Sequence, residues 1–144
     1  MECSTGQGFA FTVPDSRPLA YTSHRTCLPK TLGIISIDTT CLNRPTTRIL
    51  FTCNLFFVPK NEKGTAQLEF VLYRSCNGNF ESLMGNWVYD IIDRKEKLSH
   101  MFRLSFCCKN SFPCFCHYFV RVIPVYIKDC AVCISNCHLN AVAQ

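Results

Sequence analysis

Charge is scarce in this chain. Only 17% of its 144 residues are Asp, Glu, Lys or Arg, against 48% hydrophobic residues. An intrinsically disordered chain needs the reverse balance, and a coiled coil needs an excess of Ala, Glu, Lys and Leu that is not present. Long apolar runs are missing too. The strongest, residues 49–58 and 118–127, fall well short of the roughly 18 residues that cross a membrane as a helix, so no membrane span is expected. Fifteen basic residues against ten acidic ones leave a net charge of +5. That charge is scattered, which argues against a nucleic-acid partner. No Ser sits in a G-x-S-x-G elbow, and no Gly-rich loop opens a helix as phosphate binding requires. Asp38, Asp90 and Asp93 form no paired-carboxylate pattern. The expectation is therefore no catalytic residue, no cofactor and no small-molecule substrate.

What the chain does have is sulfur and phenylalanine, with 12 Cys and 12 Phe. The length suits one domain. Residues 1–29, broken by Gly6, Gly8, Pro14, Pro18 and Pro29, read as a flexible N-terminal arm whose strand-like piece is 9–13. Residues 30–144 read as the folded domain. Within it, 33–38 is short and β-branched. Residues 48–58 place Ile49, Phe51, Cys53, Leu55 and Phe57 on one face and Leu50, Phe56 and Val58 on the other, as in a strand covered on both sides. Residues 66–74 put Leu68, Phe70 and Leu72 together. The CNGN sequence at 76–79 predicts a tight turn, because Asn-Gly accepts positive φ. Alternation returns at 100–107, 117–127 and 134–142. Arg94, Lys95 and Lys97 read as a solvated turn. The segment 87–92 is ambiguous. Leu83, Trp87 and Ile91 recur every four residues, as on a helix, while Trp87, Tyr89 and Ile91 would share one face of a strand. Counted as a strand, and together with the arm piece 9–13, it brings the total to about eight, which predicts an all-β, two-sheet jelly roll or β-sandwich.

The cysteines are the candidate chemistry: Cys3, Cys27, Cys41, Cys53, Cys76, Cys107, Cys108, Cys114, Cys116, Cys130, Cys133 and Cys137. All are candidates for disulfides or cross-links, and the connectivity is not deducible from spacing. On a strand, Cys107 and Cys108 point to opposite faces, while Cys114 and Cys116 share one. Cys3, near the end of the arm, is placed to reach a neighbouring subunit. The competing reading is a monomeric zinc- or ligand-binding module. It would use Cys107, Cys108, Cys114, Cys116 and His117, or Cys130, Cys133, Cys137 and His138. Only Cys130 and Cys133 have the CxxC spacing of a zinc knuckle, so no metal is expected. Haem attachment needs C-x-x-C-H, which neither cluster matches. A thioredoxin-like role needs a βαβ context that KDCAVCISNC lacks. His24 and His100 are dispersed and read as surface or strand residues. The first residues carry no basic segment followed by an apolar core of roughly 7–15 residues, which reads as no secretory signal. A Cys-rich chain without one binds metal through its thiols, has lost its signal, or oxidises after the cell that made it lyses.

Several stretches, taken in order, carry a resemblance. They are ECSTGQGFAF at 2–11, IISIDTTCLNRP at 34–45, RILFTCNLFF at 48–57, LEFVLYRSC at 68–76 and NWVYD at 86–90. FRLSFCCKNSFPCFCHYFVRVIPV at 102–125 and ISNCHLNAVAQ at 134–144 follow. Together they resemble a Cys-rich domain family of unknown function from spore-forming clostridia and their relatives. The adjacent Cys107 and Cys108 and the charged stretch 93–97 depart from its pattern. Size, β-content and arm are similar to those of endospore appendage subunits, jelly-roll proteins that stack into disulfide-linked fibres. The resemblance implies that 87–92 is a strand. It also implies that the partner is the chain itself, as a helical homopolymer, and that the location is the extracellular cell or endospore surface, after synthesis in the cytoplasm.

Overall fold

The computed structural model describes residues 19–23, 27–109 and 113–144. Their strands are β1 (Leu19–Thr22), β2 (Lys30–Asp38), β3 (Thr47–Pro59), β4 (Gly64–Cys76), β5 (Ser82–Arg94), β6 (Leu98–Cys108), β7 (Phe115–Lys128) and β8 (Cys130–Ala143). They form two four-stranded antiparallel sheets. Sheet A has the order β1-β8-β3-β6 and sheet B the order β2-β7-β4-β5. That order is the double Greek key of a jelly roll.

Alternation decides what fills the space between the sheets. Ile49, Phe51, Cys53, Leu55 and Phe57 of β3 are all buried, and so are Leu68, Phe70 and Leu72 of β4. Phe70 reaches across from sheet B to stack on Phe102 of sheet A, with ring centroids 4.1 Å apart, and lies 6.3 Å from Phe51. Burying one such ring contributes about 2–3 kcal/mol. The opposite face of β3 is less covered than its composition implies: Phe56 is exposed, and Leu50 and Val58 are half-buried.

Residues 87–92 belong to strand β5, which pairs with β4 and turns Trp87, Tyr89 and Ile91 toward the core side. Gly85 fits this arrangement, because the Trp87 indole folds over the space its side chain would take, 2.9 Å from an added Cβ. An aromatic ring thus covers a strand glycine. Pro124 lies inside β7, where β2 has already ended and a bulge opens opposite Leu68, so its missing N–H breaks no ladder bond to β2.

The sandwich starts earlier than residue 30. Leu19–Thr22, read from sequence as part of the arm, is a strand paired to residues 131–134 of β8. Tyr21 is buried there, and its hydroxyl donates to the Leu28 carbonyl at 2.7 Å. The strand is too short to show an alternation, and Pro18 masks its start. The strand-like piece at 9–13 lies outside the described residues.

Candidate functional site at the cysteine-lined end

Antiparallel pairing brings the ends of β2, β4 and β6 together with the starts of β3 and β7. Cys41 in the β2–β3 turn, Cys76 closing β4, Cys107 and Cys108 closing β6, and Cys114 and Cys116 at the start of β7 therefore share one end of the sandwich. The two sheets meet there. The Arg74 guanidinium of sheet B lies 3.5 Å from the Cys108 sulfur of sheet A. Thr39, buried just beyond β2, holds the approach to β7: its N–H and hydroxyl both donate to the Cys114 carbonyl at 3.0 Å, and the Cys114 N–H donates to the hydroxyl at 3.1 Å.

Cys76 and Cys116 are directly opposite in the β4–β7 register and form a disulfide across 40 residues. The turn that follows extends this pairing by one hydrogen bond. Asn77 and Gly78 have φ of 53° and 74°, as the Asn-Gly signal requires. The Asn77 N–H donates to the Phe115 carbonyl at 2.9 Å. Cys114 shares a face with Cys116, and its thiol sulfur sits 3.0 Å from the Cys116 sulfur. All three sulfurs lie within 4.8 Å of one another. Burial pushes the Cys114 thiol up, while the Arg74 guanidinium pulls the other way. Cys41 is also disulfide-bonded.

The remaining cysteines separate by face. Cys107 pairs with exposed Arg48 and points to solvent, while Cys108 pairs with buried Thr47 and points in. Cys107 opens onto a groove of about 830 Å³ on the outer face of sheet A, flanked by Arg48, Arg103 and Lys109, and none of the described residues lining it is acidic. Cys53 and Cys137 meet across β3 and β8 because of a bulge. Asn136, at φ 52°, takes an extra place opposite β3, so the inward phase passes from Ile134 to Cys137. Hydrogen bonding to Cys137 and burial push the Cys53 thiol far up. The bulge was readable as a phase change, since Val132 and Ile134 are followed by Leu139 and Ala141 at an odd spacing. Cys27 donates to the Thr22 carbonyl at 3.4 Å. Cys3 and His24 lie outside the described residues.

The Cys/His clusters of the zinc reading come together only in part: Cys114 and Cys116 of the first meet, while its Cys107 and His117 turn away. Cys130 is buried while Cys133, three residues on, faces out, because a strand alternates with period two. His138 is exposed beyond the bulge. His117 points away from Cys116 and contacts Ser36 Oγ at 2.6 Å. The grouping that does form, Cys76 with Cys114 and Cys116, joins residues forty apart. Arg74 and Thr39 were not singled out by sequence, because both act through contacts between distant segments.

Comparison with known proteins gives the family and the fold. The chain belongs to the family described as Domain of unknown function (DUF4489), which it matches over residues 2–144. No curated protein matches it. A structure of infectious bursal disease virus, Gx strain, aligns with 97% of this chain at a TM-score of 0.51 and 11% identity, and the chain spans 33% of that viral chain. A CBM4 structure aligns with 93% of this chain and 83% of its own at a TM-score of 0.26 and 8% identity. The viral likeness is one of fold.

Proposed function

We propose that this chain is a structural, non-catalytic subunit that assembles with copies of itself into a disulfide-stabilised filament outside the cell, such as an endospore appendage. One observation carries the reading: β6, an edge strand of sheet A, carries a free thiol, Cys107, one residue from its end, and that thiol faces solvent. Edge strands offer unpaired N–H and C=O groups to another chain. Here the edges β5 and β6 are long, and the outward residues Leu83, Val88, Ile92 and Met101 on them are exposed and apolar. A head-to-tail contact that does not close gives a helical fibre.

In this reading Cys107 meets a free thiol of a neighbouring copy, such as the outward-facing Cys133. The two thiols lose two protons and two electrons to dissolved oxygen, which leaves as hydrogen peroxide, and form the link. Cys108, turned inward against Arg74, is the poorer acceptor, and Cys116 is already bonded to Cys76. Synthesis in a reducing cytoplasm, followed by oxidation once the cell opens, accounts for the wealth of cysteine. The test is denaturing electrophoresis of purified material with and without reductant, beside negative-stain images. A ladder that reductant collapses, together with its loss in Cys107→Ser, is the expected result. Monomers under both conditions and no fibres in the images would overturn the reading.

A further inference from the structure

We propose that Cys76, Cys114 and Cys116 form a thiol–disulfide exchange site, in which one disulfide moves between the Cys76–Cys116 pair and the Cys114–Cys116 pair. The inference concerns single subunits and does not rest on assembly. Its basis is the placement of a free thiol 3.0 Å from one sulfur of an existing disulfide. Cys116 is only 5% exposed, so solvent thiols reach it poorly, while Cys114 reaches it from within. Cys114 lies just before β7 rather than in it, and its sulfur already stands 3.0 Å from Cys116 Sγ, so the new bond needs only a short approach of the two sulfurs. Thr39 fixes the backbone of Cys114 through three hydrogen bonds, which holds its sulfur at the pair.

The step balances without an oxidant. Cys114 gives its proton to water, and its thiolate attacks Cys116 Sγ. The Cys114–Cys116 bond forms as the Cys76–Cys116 bond breaks, and the electron pair leaves on Cys76, which takes a proton from water. One disulfide and one thiol exist before and after. The reactive thiol has moved from the start of β7 to the end of β4, and the reverse step returns it. Burial raises the Cys114 thiol, and the nearby Arg74 guanidinium offsets part of that rise in favour of the thiolate that attacks.

The test is trapping. The full chain is held dilute with iodoacetamide, and fragmentation mass spectrometry locates the label. The expected result is label on Cys76 in molecules whose Cys114 and Cys116 are bonded to each other. That labelling should be independent of protein concentration and should rise about tenfold per pH unit while the thiol is mostly protonated. In Cys114→Ser, label on Cys76 falls at least tenfold. Should that variant not fold, the concentration and pH dependence of the unaltered chain decide alone. Label confined to Cys114 throughout, or labelling of Cys76 that scales with protein concentration, would overturn the proposal. So would one zinc ion per chain with all three thiols protected.

Discussion

At one end of the sandwich the loops are joined by sulfur, and at the other by hydrogen bonds among polar and charged residues. The cysteine-lined end gathers Cys41, Cys76, Cys107, Cys108, Cys114 and Cys116. The opposite end carries Lys60, Glu62 and Lys63 between β3 and β4, residues 95–97 between β5 and β6, and Lys128 and Asp129 at the β7–β8 turn. There the connections are tied by ordinary polar bonds. Asn61 donates to Asp129 Oδ1 at 3.0 Å, the Lys60 N–H donates to the Asp129 carbonyl at 2.8 Å, and the Asp93 N–H donates to Thr65 Oγ1 at 3.0 Å. Cys130 at that end is sealed inside. Turns of similar kind thus close without a disulfide. Among the described residues the disulfide-bonded cysteines, Cys41, Cys76 and Cys116, all lie at the other end.

The contrast holds only if the middle of the sandwich, rather than either end, dominates stability. Phe70→Ala is the sharpest way to break it. Removing the ring that spans Phe51 and Phe102 is expected to cost about 3–5 kcal/mol, read from the urea midpoint and equal with or without reductant. A smaller loss than that of the disulfide would mean that the ends govern the fold. Next in size is Cys76→Ser, expected to cost about 2–4 kcal/mol, since the bond it removes closes a loop of tens of residues. Reductant should destabilise the unaltered chain at least as much, and Asn61→Ala at the charged end should cost about 1 kcal/mol or less. Equal losses at the two ends would erase the distinction. Gly78→Val sharpens it further. No atom lies near an added Cβ, so the expected cost of about 1–2 kcal/mol comes from positive φ alone. It should also loosen the Asn77–Phe115 hydrogen bond beside the disulfide, visible as faster reduction of the Cys76–Cys116 bond.

Seven of the strands were legible because most cross the sandwich with one dry face, as in Ile49 to Phe57, while the remaining piece counted from sequence, 9–13, lies outside the described residues. Residues 87–92 were ambiguous for a physical reason. A spacing of four satisfies both a helical period of 3.6 and a strand period of two, and the choice was settled only by pairing with β4. Strand β1 was hidden by its brevity. For the site, the shared face of Cys114 and Cys116 followed from spacing, but the Cys76–Cys116 bond depends on a register set forty residues away. The apparent zinc clusters failed for the opposite reason: neighbours in sequence diverge on a strand. Cys53 and Cys137 met only through the bulge at Asn136.

The smallest expected effect lies near the charged end, where the comparison can be probed by pH rather than by oxidation. Burial, with Cys27 adding a smaller push, raises the Tyr21 phenol from about 10 to about 12. The folded chain therefore favours the protonated phenol. This contribution is fully present below pH 10 and is lost as pH rises toward 12. Tyr21→Phe removes the bond to the Leu28 carbonyl and should cost about 1 kcal/mol at neutral pH. It also removes the titration. Urea midpoints of the two proteins should differ at neutral pH and converge between about pH 10 and about pH 12, because only the unaltered chain loses the phenol's share. The other buried tyrosines, Tyr89 and Tyr118, are common to both proteins and cancel in the difference. Parallel curves across that window would show that β1 sits more loosely on β8 than its geometry requires, and that the charged end is held by its turns alone.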